Sequence, residues 1–499
     1  MKRRDFLNST LFAAVASASG LRAAYALATE QATDVLAVTG DGREVTLKAA
    51  DIRDLAARMR GPLLVAGDPG YDKARMILNP AFDKHPALVA QPSGPADVQA
   101  VVNFARTNNL LVAVKCGGHS HSGQSTCERG LQIDLSGMRG VRVDTQAKRV
   151  WVAGGTLLGQ VDHEALAQGF VTPLGTVSHT GVGGLTLGGG FGRLARRYGM
   201  AIDNLVSVDL VTADGKLRHT SAAENKELFW GVRGGGGNFG VATGFEFRLH
   251  PRQREVVAGS VSFPISRARD VLSMWGEYAA TASDDLYMDP VIAQPPAGAE
   301  AYVAVEVCYS GPQKDAERAL EPLRKVGKPE TDSIRTRDYE VVQRMNDMGD
   351  SRSVGSYLKG GFISELPDKL LSNIVENFPG SPSRMTLLFF QHCGGASGRV
   401  AEGATAFAQR YAMANMMTVS GWRQGVDDPA EHMKASRSYW QTLESYTKGF
   451  YVNDLAREVT ASEINANYRG NYDRLVKLKQ TYDPTNLFRL NANVQPAKA

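Results

Sequence analysis

Cysteine is scarce in this 499-residue sequence: Cys116, Cys127, Cys308 and Cys393 are far apart and none falls in a C-x-x-C pair. That scatter excludes a thiolate metal cluster, and we read Cys116 and Cys127 as buried thiols rather than a disulfide. There is no H-E-x-x-H or related histidine spacing, so no metal is expected. The formal net charge of +4 is small for the length and forms no dense basic stripe, which argues against a nucleic-acid partner while leaving room for an anionic ligand at a local site. After residue 28 no apolar run approaches the length of a membrane span. A G-x-G-x-x-G turn opening a long helix after a first strand is also missing, so the nicotinamide-dinucleotide signature is absent.

Glycine, by contrast, is abundant at 52 residues, and it is clustered. Lys115-Cys116-Gly117-Gly118-His119-Ser120 follows an apolar strand-like run, and Gly181 to Gly192 follows about sixty residues later. A third cluster is Arg233-Gly234-Gly235-Gly236-Gly237-Asn238-Phe239-Gly240. Turns without side chains let backbone N–H groups approach an anionic ligand closely, which is how a chain cradles a pyrophosphate. His119 is a single imidazole held in such a turn, where it could act as a nucleophile or a covalent anchor. With 43% hydrophobic and 22% charged residues, the chain can bury a large core and is expected to form about two domains.

The ordered stretches KCGGHSHSG, LGTVSHTGVGGLTLGGGFG, VTADG and ELFWGVRGGGGNFGVATGFEFRL resemble the FAD-linked oxidases of the vanillyl-alcohol oxidase/p-cresol methylhydroxylase superfamily, most closely the berberine-bridge-enzyme-like branch. The resemblance runs from about Gly67 to Pro251 and resumes at Tyr468, Asn471-Tyr472 and Tyr482-Asp483-Pro484-Thr485-Asn486-Leu487-Phe488. It implies an α+β fold, with a two-subdomain FAD-binding module over 29–250, an antiparallel-sheet substrate domain with helices on one face over 251–448, and a segment over 449–499 that returns to the FAD module.

The resemblance also implies site residues. FAD is expected against Cys116, Gly117, Gly118, His119, Ser120, Ser122 and Gly123, against Thr176, Val177, Thr180, Gly181, Gly183, Gly184, Gly189 and Gly192, and against Val241, Asn491 and Asn493. The His119 ring is expected to bond covalently to the flavin. Well-known members carry a second attachment through a cysteine where this chain reads Gly175-Thr176-Val177, and valine cannot form a thioether, so a single attachment is expected. A small residue at Gly175 is tied by the same resemblance to oxygen access. Tyr451, in Phe450-Tyr451-Val452-Asn453, and His121 are the two candidates for the base. The family often has a second tyrosine where this chain has Asp454, which leaves the choice between them open.

The implied chemistry is hydride transfer from an alcohol, a sugar or an amine to the flavin, with a protein base taking the proton and molecular oxygen as acceptor. A dehydrogenase with another acceptor, or a catalytically silent flavin- or carbohydrate-binding protein, are the competing readings. The N-terminus adds an address: Lys2-Arg3-Arg4 precedes Asp5-Phe6-Leu7, a mildly apolar stretch to Gly20 and small-residue sites up to Ala28. Residues 1–28 resemble a cleaved twin-arginine signal, which implies the export machinery as a partner and a periplasmic or secreted location.

Pattern reading predicts a helix over 49–59, a second from Pro95 to Asn108 and a third over 156–168. Strands are expected at 110–114, 133–135, 141–143, 150–152, 203–212 and 245–249. Beyond Pro251 it predicts strands at 256–264, 301–309 and 385–391, and helices at 266–279, 314–325, 402–416 and 428–446.

Overall fold

The computed structural model describes residues 33–295, 299–347, 353–381, 384–454 and 459–497. The expected signal segment, 1–28, lies outside the described residues. Helix α1 (Ala49–Arg58) buries Ile52 and Leu55, with Asp51 in its first turn and Arg58 in its last, each sign placed to suit the helix dipole.

A four-stranded sheet follows, built from β1 (Leu63–Leu64), β2 (Leu88–Ala90), β3 (Val112–Lys115) and β4 (Leu131–Asp134) in the order β1-β2-β4-β3. The β2–β4 and β3–β4 pairs are parallel. Helix α2 (Pro95–Thr107) supplies the crossover; Pro95 opens it, and Val98, Val101, Val102 and Ala105 form one buried stripe at helical spacing. Strand β3 ends at Lys115, so the first glycine turn emerges from the carboxyl edge of a parallel pair, the edge on which open α/β sheets bind ligands.

The next unit is an antiparallel five-stranded sheet of β5 (Val141–Asp144), β6 (Arg149–Ala153), β7 (Leu205–Val211), β8 (Leu217–Ser221) and β9 (Val241–Arg248), ordered β8-β7-β9-β6-β5. Helix α3 (Leu158–Ala167) and the short glycine-rich helix α4 (Val182–Gly188) lie between its strands in sequence. Val150, Val152, Phe245 and Phe247 from the sheet share a core with Leu158, Val161 and Trp230.

The third unit is a large antiparallel sheet of β10 (Glu255–Pro264), β11 (Leu286–Gln294), β12 (Tyr302–Tyr309), β13 (Thr331–Asp332), β14 (Arg335–Asp338), β15 (Val354–Ile363), β16 (Met385–His392) and β17 (Ala414–Arg423). Its order is β13-β10-β12-β11-β16-β17-β15, with β14 also on β10. Helices α5 (Ala268–Ala279), α6 (Ala316–Lys325), α7 (Asp368–Glu376) and α8 (Pro429–Gln441) pack on one face, where Trp275, Leu320, Ile374, Tyr439 and Trp440 meet Met288, Val305, Leu388 and Met416.

The helix expected over 402–416 is not there. Glu402–Ala404 is a single 3-10 turn, and Ala414 already begins β17. Strands β11 and β15 and helix α7 were absent from the sequence reading. Leu135, expected in a strand, instead starts the 3-10 turn Leu135–Gly137.

The chain ends by returning. In α9 (Tyr472–Tyr482), Leu475 and Leu478 enter the core of the five-stranded sheet, as does Val494, while Leu487 and Phe488 enter that of the four-stranded sheet. The fully buried Lys479 ammonium fixes this return by donating to Asp483 at 2.7 Å and to the carbonyls of Asn238 and Phe488 at 2.8 Å.

Candidate functional site

The three glycine clusters, far apart in sequence, meet in space. Gly117 and Gly181 pack so closely that a Cβ on Gly117 would stand 2.3 Å from the Gly181 nitrogen. The N–H groups of Gly234 and Gly236 both donate to the carbonyl of Leu187, at 3.0 and 2.9 Å, tying the third cluster to the second. The C-terminal tail closes the group: Gln124 donates to the Asn491 carbonyl at 3.3 Å, Asn238 donates to the Ala492 carbonyl at 3.0 Å, and the Val494 N–H donates to the Asn238 side chain at 2.9 Å.

His119 lies on the first turn with its Nε2 2.7 Å from Nδ1 of His179, one ring donating and the other accepting, and its Nδ1 3.4 Å from the Thr180 hydroxyl. Burial, helped by the neighbouring His179 and His121, pushes the His119 pKa down to about 3, so the ring is neutral and one of its nitrogens carries a lone pair at ordinary pH. That is the state a nucleophile needs. Burial also lowers the His121 pKa, and its carbonyl accepts from Asn79 at 3.0 Å.

Ser120 accepts from the Gln124 N–H at 2.9 Å, and Gly123 takes a left-handed φ of 74° that closes the turn. Ser122 is half-buried beside it. Cys116 places its sulfur 3.7 Å from the Thr156 carbonyl as a free thiol, and Cys127 is likewise unpaired in a disulfide. Gly118, with φ 72°, rests over Ile77. Gly183 approaches the Gly154 carbonyl, Gly189 sits under Met200 and Tyr451, and Gly192 presses on the Leu174 carbonyl. Gly184 is different: it is exposed, with no atom of the described residues within 4 Å of its vacant Cβ position.

Tyr451 is buried, and its hydroxyl accepts from the Gly190 N–H at 2.8 Å and from Asn453 at 2.7 Å. Phe191, Phe362 and Phe407 box its ring or one another at centroid distances of 5.2 to 6.4 Å. Burial and the nearby Asp454 raise its pKa above the usual phenol value, so Tyr451 is a neutral hydroxyl rather than a ready phenolate. A base role for Tyr451 therefore requires a cation or a donor brought by a ligand.

The Gly175-Thr176-Val177 segment is clamped from beneath. Arg193, fully buried, donates to the Thr176 carbonyl at 3.0 Å and to Gln343 at 2.9 Å and pairs with Glu306 at 2.6 Å, while Gln343 donates to the Gly175 carbonyl at 2.8 Å. The vacant Cβ position of Gly175 points at Leu158 and Leu185, 3.0 and 2.8 Å away, so its small size serves packing. Val177 accepts the Thr180 N–H at 3.1 Å through its backbone. Val241 opens β9 with its side chain in the core beside Val211.

The sequence reading missed the Arg193–Gln343–Glu306 clamp, the phenylalanine box, and the polar set of Gln391, Asn415 and Asp454. Asn415 donates to Gln391 at 3.0 Å and to Asp454 at 2.9 Å. Asn415 lies in the span that the pattern assigns to a helix, where strand-face alternation is lost, and Asp454 stands out in the sequence only as a departure from the family's tyrosine.

The cluster has the features a dinucleotide requires. Among the described residues, the side-chain oxygens of Asn491 and Asn493 are buried with no partner, and Gly184, Gly236 and Gly237 have no atom closer than 4.0 Å to their vacant Cβ positions. Unpartnered acceptors beside backbone without side chains fit the donors and the phosphates of such a group. Residues 86–221 match the family model described as FAD binding domain, and 462–495 match that described as berberine and berberine like. The chain is 32% identical to an FAD-linked oxidoreductase of Dictyostelium discoideum over 82% of this chain and 89% of that one. It is 29% identical to (R)-6-hydroxynicotine oxidase of Paenarthrobacter nicotinovorans, over 88% and 97%. The crystal structure of 6-hydroxy-D-nicotine oxidase from Arthrobacter nicotinovorans superposes with a TM-score of 0.81 at 28% identity, covering 88% of this chain and 98% of that one. The glycine turns, their meeting point and these matches together make the chain an FAD-dependent oxidoreductase of the berberine-bridge-enzyme-like family.

Proposed function

We propose that the protein is an oxidase that takes hydride from an alcohol, sugar or amine into FAD held by a single covalent bond to His119, with oxygen as acceptor and hydrogen peroxide as product. The observation that carries this reading is the neutral His119 ring in the turn that Gly117 packs against Gly181. The flavin supplies the electron sink; the protein's own residues grip, orient and handle the proton. Backbone of 116–123 and of 180–192 would hold the phosphates, and the Asn491 and Asn493 oxygens would accept from the ring system or its ribityl chain. His179, hydrogen-bonded to His119, would fix the anchor's tautomer. Val177 leaves His119 as the single proposed attachment.

Export by the twin-arginine route, with loading of the cofactor before transport, belongs to the same proposal and rests on Arg3-Arg4. The experiment is acid precipitation of the purified protein: yellow colour stays with the polypeptide, and His119→Val releases it to the supernatant. Free FAD from the unmutated protein contradicts the attachment. Slow reoxidation in air after substrate reduction would favour the dehydrogenase reading instead. Export is tested by fractionation of cells expressing the full chain, where Arg3→Lys/Arg4→Lys retains the protein inside.

A further inference from the structure

The large sheet has two faces, and the one turned away from the helices has an unusual composition. Cross-strand register sets Leu358, Val419 and Leu387 in one row, Gly360, Met417 and Phe389 in the next, and Phe362, Asn415 and Gln391 in the third. The alternate residues Ile363, Leu388, Phe390 and Met416 belong to the core under the helices, so these three rows share the opposite face. Phe362 identifies what that face looks at: its ring is 6.0 Å from Phe191 of the second glycine loop and 6.4 Å from Tyr451. Two rows are thus apolar, and the row nearest the glycine loop is polar.

The polar row is incomplete. Asn415 is fully buried, and its amide nitrogen is committed to Gln391 and Asp454, while its Oδ1 has no partner among the described residues. Asp454 reaches this row from the turn after Tyr451, because Lys448 and Gly449 pair with Phe362 and lead the chain along the same face. The unpartnered Asn415 oxygen can only accept, and above about pH 7, where Asp454 is ionised, its carboxylate can only accept too. Both therefore call for a ligand that donates. The apolar rows offer nothing to the hydroxyls of a sugar, and a buried sugar hydroxyl without a partner is costly.

We propose that this face is the substrate subsite and that it takes a small molecule with an aromatic or alkyl body and a single amine or hydroxyl donor, the body lying under Leu358, Leu387, Phe389, Met417 and Val419 and the donor held by Asp454 and the Asn415 oxygen. This rests on the oxidase reading for the position of the reacting group, and on the sheet alone for the chemistry of the ligand. Burial raises the Asp454 pKa to about 7, which fits a carboxylate that completes its hydrogen bonding only when a donor arrives.

The test is calorimetric titration of the purified holoprotein with benzylamine, benzyl alcohol and cellobiose. Benzylamine or benzyl alcohol is expected to bind at least about tenfold more tightly than cellobiose, and Asp454→Asn, which keeps the size of the side chain, to weaken that binding by roughly tenfold or more. A greater loss for benzylamine than for benzyl alcohol identifies the donor as an amine, and the reverse identifies a hydroxyl. Tighter binding of cellobiose, or aryl binding indifferent to both Asp454→Asn and Phe389→Ser, overturns the proposal. The visible spectrum of the same samples keeps the two readings apart: colourless protein that binds benzylamine through Asp454 sinks the oxidase and leaves the subsite, whereas yellow protein reduced by cellobiose does the opposite.

Discussion

Gly117 and Gly184 make opposite use of having no side chain. A Cβ on Gly117 would meet the backbone of Gly181, which cannot move without opening the joint between the two turns. Gly117→Ala should therefore cost about 2–3 kcal/mol of stability and reduce flavin content, read by thermal melting and visible absorbance. Gly184 sits in α4 without a left-handed φ and faces open space, so Gly184→Ala should hold or raise the melting temperature of the flavin-free protein. If the open space is the cofactor's, the same substitution lowers flavin content. A Gly184→Ala protein with full flavin would remove Gly184 from the grip.

At the scale of elements, the C-terminal return depends on one buried ion pair. Lys479 and Asp483 are both fully buried and three bonds from the lysine join α9 to the tail and to Asn238 of the third glycine cluster. Lys479→Met strands the Asp483 carboxylate and should cost about 3–5 kcal/mol in urea unfolding, with part of the loss recovered in Lys479→Met/Asp483→Asn. This return was legible in the sequence only through the resemblance of the Tyr482–Phe488 stretch, since a lysine four residues before an aspartate also describes an exposed helix end. Strands with one buried face, such as β6 and β12, were readable from their alternation. Strand β17 is buried on nearly every residue and hides its period, β11 carries Pro290 in its middle, and β15 contains Gly360-Gly361; each breaks a local strand signal that tertiary pairing overrides. The glycine turns were legible because their chemistry is local. The Asn415–Asp454 row was not, because it exists only once β17 and the turn after Tyr451 are side by side.

Across the whole molecule, buried histidines and buried carboxyls set opposing dependences on pH. His250 is pushed down to about 4 and His392 well below its usual value, both chiefly by burial, so the unfolded chain binds protons that the fold refuses and stability falls as pH drops below about 6.5. Burial raises Asp162 and Asp454 to about 7 and Asp289 to about 8, so the fold holds protons that the unfolded chain has released, and that contribution is lost as pH rises from about 4 towards 8. The two effects offset each other between roughly pH 4 and 6.5, and only the carboxyl effect continues above it. Melting temperature should be nearly flat from about pH 5 to 6.5 and decline towards pH 8. Asp289→Asn keeps one oxygen to accept the His392 N–H and turns its NH2 to the Tyr287 hydroxyl, which can accept, while removing one carboxyl, so its stability should fall faster in acid and hold better at pH 8 than the parent's. Parallel curves for the two proteins would contradict the assignment of a proton to Asp289.

Three glycine turns meet and the first of them carries His119, and tryptic peptide mapping of the purified protein reads directly whether that imidazole holds the flavin. Cleavage after Lys115 and Arg129 isolates His119 on one peptide. We expect that peptide to carry the mass and the fluorescence of a flavin, and the corresponding peptide of His119→Val to carry neither. An unmodified His119 peptide, with flavin recovered free or on another residue, would contradict the account.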